Sequence, residues 1–230
     1  MHPYASDLQA HLTPHADPLQ AGPMKAYMRG QFEYLGLKTP RRVELTKAFI
    51  AERGLPEPSD LDAIARDLWS LPEREFQYCT VGLIERLLKK LPPEFVATVE
   101  SLIVTKSWWD TVDTLASNIT GPLFKRYPGE RAACLPRWRQ SDNFWLRRTA
   151  ILFQLDYKKE TDFPLLCDII RENLGSKEFF INKAIGWVLR EVSKTDPEAV
   201  RRFVADTPLE PLSRREALKW LDRNSPGAGK

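Results

Sequence analysis

The sequence predicts an all-α fold. Three observations carry that prediction. Apolar residues recur at i, i+3/i+4, i+7 from Leu61 to Leu221, and no stretch shows sustained two-residue alternation with glycine-rich hairpin turns. Prolines fall between the periodic segments, at Pro40, Pro56, Pro72, Pro92, Pro93, Pro122, Pro136, Pro164, Pro197 and Pro208. There an imino acid starts a helix without breaking one. Residues 1–223 are expected to form a single solenoid domain, with 224–230 (NSPGAGK) a disordered tail.

Four segments resemble one another. PEREFQYCTVGLIERL begins at Pro72, TKSWWDTVDTLASNI at Thr105, SDNFWLRRTAILFQL at Ser141 and SKEFFINKAIGWVLREV at Ser176. Aligning Glu75, Trp108, Phe144 and Phe179 gives steps of 33, 36 and 35 residues, within the range of stacked two-helix repeats. Each segment opens on a polar capping stretch followed by bulky, mostly aromatic residues. The predicted architecture is a HEAT-like helical-repeat solenoid, in which one helix of each pair lines a concave surface suited to an extended polymer.

Within these helices some residues stand outside the packing stripe. In the helix expected from Lys106, Trp108, Val112, Leu115 and Ile119 make the core stripe, while Trp109 and Asp113 share a second face one turn apart. Either Trp109 is half-buried beside an Asp113 that caps a neighbour or pairs with an arginine, or the two form a functional pair. The Ser141 repeat sets Arg148 at the edge of a helix that continues into the apolar run Ala150 to Leu155. Arg148 therefore either pairs with a buried carboxylate or clamps a phosphate oxygen. In the Ser176 repeat Ile181, Ile185, Val188 and Val192 form the stripe and leave Phe180, Lys183, Trp187 and Arg190 off it. Aromatics interleaved with cations suit nucleic acid, because cations neutralise phosphates while flat rings contact sugars or bases.

Composition narrows the chemistry. Hydrophobic residues make up 43% and charged residues 28%, ordinary globular values. No apolar run reaches the roughly 18–20 residues of a spanning helix, and the start MHPYASDLQAHLTPHADP has no signal pattern, so a cytoplasmic location is expected. The three histidines, His2, His11 and His15, all lie near the N-terminus. Ser-His-Asp and Cys-His hydrolases, HExxH proteases and most zinc catalysts are therefore disfavoured. Cys79, Cys134 and Cys167 are widely spaced and read as buried small apolar residues. No metal or cofactor is expected. Net charge is +3, but it is uneven: residues 1–120 hold 13 basic and 16 acidic residues, against 21 and 15 in 121–230. The C-terminal half is the better candidate for a phosphate-binding surface.

The chain resembles the AlkD-type bacterial DNA alkylation-repair glycosylases, a HEAT-like repeat DNA glycosylase family. The resemblance rests on IVTKSWWDTVD (Ile103 to Asp113), SDNFWLRRTAILFQL from Ser141, SKEFFINKAIGWVLRE from Ser176 and LSRREALK from Leu212, with MKAYMRGQFEYLGLKTPRR from Met24 and LWSLPEREFQ from Leu68. It implies a solenoid that wraps duplex DNA and hydrolyses the N-glycosidic bond of positively charged N3- or N7-alkylated purines without a base-flipping pocket. It further implies that Asp113 is the catalytic carboxylate, that Trp109 and Trp187 contact the deoxyribose, and that Arg148 holds a phosphate. Lys106, Lys183 and Arg190 flank that face and would contact phosphates or remain solvated. Tyr27 would reach the opposite strand or be a half-buried helix tyrosine. The expected protein is a nucleoid-associated monomer with alkylated duplex DNA as partner. A non-catalytic binder of damaged or branched DNA, or a protein-binding scaffold, are the other readings.

Overall fold

The computed structural model describes residues 1–224, so all but the first residue of the expected tail lies outside the described residues. Among the described residues there is no strand, only an isolated bridge between Glu33 and Glu73. The architecture is an all-α helical repeat. It divides into two compact units, Met1–Thr98 and Val99–Lys230.

The first unit holds α1 (Pro3–Leu12), α2 (Pro18–Tyr27), α3 (Thr39–Arg53), α4 (Leu61–Ser70) and α5 (Arg74–Leu87). Leu8, Leu12, Ile64, Leu68, Phe76 and Ile84 are fully buried and make its core. Glu75 is buried among them, and its carboxylate accepts the backbone N–H groups of Leu35, Gly36 and Leu37 at 2.9–3.0 Å. Burial raises the Glu75 pKa while these three donors oppose the shift. Gly36 has φ +92, and a Cβ there would lie 2.0 Å from the Asp17 carbonyl oxygen, so only glycine fits. The pinned loop in turn holds Asp17, whose side chain caps α2. No residue of α2 is buried, and it ends on Tyr27, which is 73% exposed.

Helix α6 (Phe95–Val104) contains the division between the units. The second unit continues with α7 (Trp109–Thr114), a π-helical turn (Leu115–Thr120), α8 (Gly121–Arg126), α9 (Pro128–Arg139), α10 (Phe144–Leu152), α11 (Phe163–Glu172), α12 (Phe179–Val192), α13 (Pro197–Asp206) and α14 (Pro211–Arg223). Asn143, Asp162 and Asp196 cap α10, α11 and α13 through their side chains, while Pro128, Pro197 and Pro211 occupy first helical positions.

The repeat is regular. Helices α5, α7, α10 and α12 begin at Arg74, Trp109, Phe144 and Phe179, a spacing of 35 residues each time. Contacts in the second unit follow this period to within two residues: Asp113 pairs with Arg148, Lys125 with Glu160, and Lys158 with Glu191, while the Tyr157 hydroxyl donates to the Gly121 carbonyl. Within this unit each repeat therefore touches the next, as in a stacked solenoid. Val112, Leu115, Ile119, Leu123, Phe124 and Trp138 are fully buried between them.

Three local expectations are corrected. The helix expected from Lys106 starts at Trp109, because Lys106 adopts φ +49 and Trp108 is extended (φ −158, ψ 159). Trp108 is thus a cap residue outside the helical stripe, its ring 6.0 Å from Trp145 and 5.2 Å from Phe180. Pro136 lies inside α9 instead of between helices, with the lost hydrogen bond falling at the carbonyl of exposed Ala132, where water can replace it. Pro122 lies in the continuous helical run from α7 to α8. A proline there would clash with the Asn118 carbonyl in a straight α-helix, and the wider π turn just before it accommodates the ring.

Helices α12 and α14 pack closely at Gly186, where a Cβ would sit 2.4 Å from the Glu216 Cβ and 2.9 Å from the Ser213 carbonyl oxygen. The Ser213 hydroxyl completes the contact by donating to the Asn182 carbonyl at 2.9 Å. Gly186→Ala must push α14 away, and we expect it to lower stability by about 1–3 kcal/mol despite the better helix propensity of alanine. Chemical denaturation checks this; a stabilised variant would show that the interface yields freely.

Candidate active site

The second unit carries a cleft of about 380 Å³ lined by Trp109, Asp113, Arg148, Phe179, Phe180, Lys183, Trp187 and Arg190. Each enters for a local reason. Trp109 opens α7 and Asp113 follows one turn later, on a face about 100° round from the buried Val112, Leu115 and Ile119. Phe179 and Phe180 open α12, and Lys183, Trp187 and Arg190 continue the same face at spacings of three and four residues. Phe179 is 57% exposed at the rim, whereas Phe180 packs against Trp145 at 4.9 Å and Trp108.

Arg148 and Asp113 face each other. The Arg148 Nε donates to Asp113 Oδ1 at 2.7 Å and Nη2 donates to Oδ2 at 2.9 Å, while Nη1 donates to the Phe180 carbonyl. Arg148 is 3% exposed, and these three hydrogen bonds are made inside the site. Of the two readings left open by the sequence, the geometry realises the pair with an acid, here a half-buried one. That acid is Asp113 itself, the other leading candidate. Burial raises the Asp113 pKa, the hydrogen bonds and charge of Arg148 oppose this, and the like charge of Asp110 adds to the rise. Each carboxylate oxygen still has a lone pair beyond the one Arg148 uses.

Sequence reasoning missed Glu216. It is buried on α14 and its carboxylate gathers three cations: Lys183 at 2.9 Å, Arg190 at 2.6 Å and Lys219 at 2.6 Å. Burial by itself would raise its pKa, but hydrogen bonds from Lys219 and Lys183, with Arg190, bring it down to about 2. Two of the expected phosphate contacts, Lys183 and Arg190, are therefore anchored side chains at the cleft. The signal available was the acid inside LSRREALK, which reads as one more charge on a solvated helix.

Of the remaining candidates, Lys106 sits in the turn before α7 and is not among the residues lining the cleft. Tyr27 belongs to the first unit. Cys79, Cys134 and Cys167 are buried free thiols. Among the described residues no group of three or more His, Cys, Asp or Glu could hold a metal ion, and no helix is long and apolar enough to cross a membrane.

Comparison with known proteins decides the kinship. Residues 8–221 match the family model of DNA alkylation repair enzymes. The chain belongs to the DNA alkylation repair enzyme family. A solved structure of a predicted DNA alkylation repair enzyme from Enterococcus faecalis is 33% identical, and the match covers 90% of this chain and 96% of that one with a TM-score of 0.82. Comparison with curated proteins finds no match. Family membership gives the protein a role in DNA repair, with DNA as the substrate.

Proposed function

We propose that the protein is a DNA glycosylase that excises positively charged N3- and N7-alkylated purines from duplex DNA by hydrolysing the N-glycosidic bond, without extruding the base into a pocket. The observation that carries this reading is a half-buried carboxylate, Asp113, fixed by Arg148 in a cleft whose walls include Trp109 and Trp187. An alkylated purine already bears positive charge. When the C1′–N bond breaks, its electron pair moves to the base nitrogen and neutralises the ring, so the base leaves without a general acid. The absence of histidine from the cleft is then no obstacle.

Positive charge meanwhile builds on the deoxyribose in an oxocarbenium-like transition state. The Asp113 carboxylate stabilises it and orients the water that attacks C1′, the water's proton passing to solvent. The faces of Trp109 and Trp187 add attraction for sugar C–H groups and cationic character, about 0.5–2 kcal/mol each when desolvated. Lys183 and Arg190 lie beside this site as backbone contacts. Residues 1–223 act as one domain on the duplex, with Tyr27 reaching the opposite strand.

Release should follow lesion charge. Duplex containing 7-methylguanine is expected to lose its base at least about 100-fold faster than duplex containing the uncharged 1,N6-ethenoadenine, because only the first has an assisted leaving group. Equal rates would point to recognition of base shape instead. Tight binding of damaged duplex with no release at all would make the protein a non-catalytic binder.

A further inference from the structure

The cleft has a charge problem that Asp113 alone does not solve. Its walls carry three cations, Arg148, Lys183 and Arg190, against one carboxylate, and Arg148 already spends its charge on that carboxylate. A substrate that arrives as a cation and reacts through a more cationic sugar would meet net repulsion from the other two. Yet Lys183 and Arg190 converge on Glu216, buried beneath them at the point where Gly186 lets α14 touch α12.

Resting on the glycosylase reading above, the geometry points to Glu216 as a positioning residue for that reaction: it holds Lys183 and Arg190 on the lip of the cleft for the DNA backbone and cancels part of their charge at the reacting sugar. Its ionisation is secure, since the three cations around it keep the carboxyl near pH 2. Lys219, the third cation, does not line the cleft. The arrangement divides labour between two acids. Asp113 faces the sugar, and Glu216 sets how much positive potential the DNA-binding side chains project onto it.

This makes an unusual signature available, because affinity and chemistry should move in opposite directions. In Glu216→Gln the neutral amide keeps the shape and frees one unit of positive charge. Undamaged duplex should then bind about 3- to 10-fold more tightly, with a log–log salt slope steeper by up to about 0.9. Single-turnover release of 7-methylguanine should slow by about tenfold. Lys219→Gln, at a half-exposed position that leaves Glu216 its other two cations, should do the reverse. Binding weakens, the salt slope becomes shallower, and release from bound duplex is no slower than in the wild type. A Glu216→Gln variant in which affinity and release fall together would reduce Glu216 to a structural role and overturn the inference, as would salt slopes unchanged in both variants. Should Glu216→Gln fail to fold, Lys219→Gln decides: slowed release there also overturns it. Wild-type protein that binds duplex but releases no 7-methylguanine would remove the glycosylase reading, while the salt slopes would still report whether Glu216 controls the charge of this surface.

Discussion

Asp113→Asn should reduce single-turnover release of 7-methylguanine by about 10²–10³-fold, the loss expected when one preorganised electrostatic group is removed from a transition state. It should also lower stability. By shape alone the exchange is conservative, but the partner of Asp113 is a guanidinium that is 3% exposed and has no other anion within the pair. In the asparagine variant one terminal group becomes a donor facing a donor, and the buried charge of Arg148 loses its counter-charge. A cost of about 2–4 kcal/mol follows. The two effects separate experimentally: release is measured on fully bound duplex below the melting transition, and stability by denaturation without DNA. Unchanged release would remove Asp113 from the chemistry.

Arg148→Ala should be the more damaging change to the fold, costing about 3–5 kcal/mol, since it leaves a mostly buried carboxylate and the Phe180 carbonyl without their donor. The loss has a pH signature with a definite sign. Asp113 already titrates above its ordinary value, and Arg148 is what opposes the rise. Without it the folded-state pKa climbs further. A carboxyl whose folded pKa exceeds its unfolded one contributes its stability at low pH and loses it as pH rises through the folded value, so the deficit of the variant should shrink on acidification. Chemistry runs the other way. Excision needs the ionised carboxylate, so the acidic limb of the rate profile should move to higher pH, with partial recovery as pH is raised. The salt slope of DNA binding should stay at the wild-type value, because the guanidinium is spent on Asp113. A slope shallower by about 0.9 with an unaltered melting temperature would instead return Arg148 to the phosphate backbone.

Periodicity made the repeat legible. The stripes Val112, Leu115, Ile119 and Ile181, Ile185, Val188 are buried as their spacing requires, and a misjudged register of one residue in two repeats hid an underlying 35-residue step. The start of α7 was less legible because nothing in the letters Lys-Ser-Trp-Trp announces a positive φ at Lys106, a conformation usually advertised by glycine or asparagine. Off-stripe logic found Trp109, Asp113, Lys183, Trp187 and Arg190, which the fold brings to one cleft. What it lacked was pairing. Asp113 and Arg148 are 35 residues apart, one full repeat, so the period itself held the clue to their contact. Glu216 had no such cue, since burial of one acid on a polar helix follows from the close approach at Gly186 and from nothing local to α14.

The π-helical turn at Leu115–Thr120 bears on how this site can change over time. A π turn holds one more residue than the α-helical turn it replaces, and its hydrogen bonds would re-form readily if that residue were lost. Once that extra residue is gone, each further residue removed between α7 and α8 rotates everything before it by about 100° relative to everything after it. Val112 would turn out of the core, and Asp113 away from the guanidinium one repeat downstream. Substitutions can alter this stretch gradually, whereas insertions and deletions act on it in whole steps. The aim of the carboxylate is thus fixed by an integer count of residues, and beyond the one residue of the π turn drift in length here is closed to the chain even where drift in side chains is open.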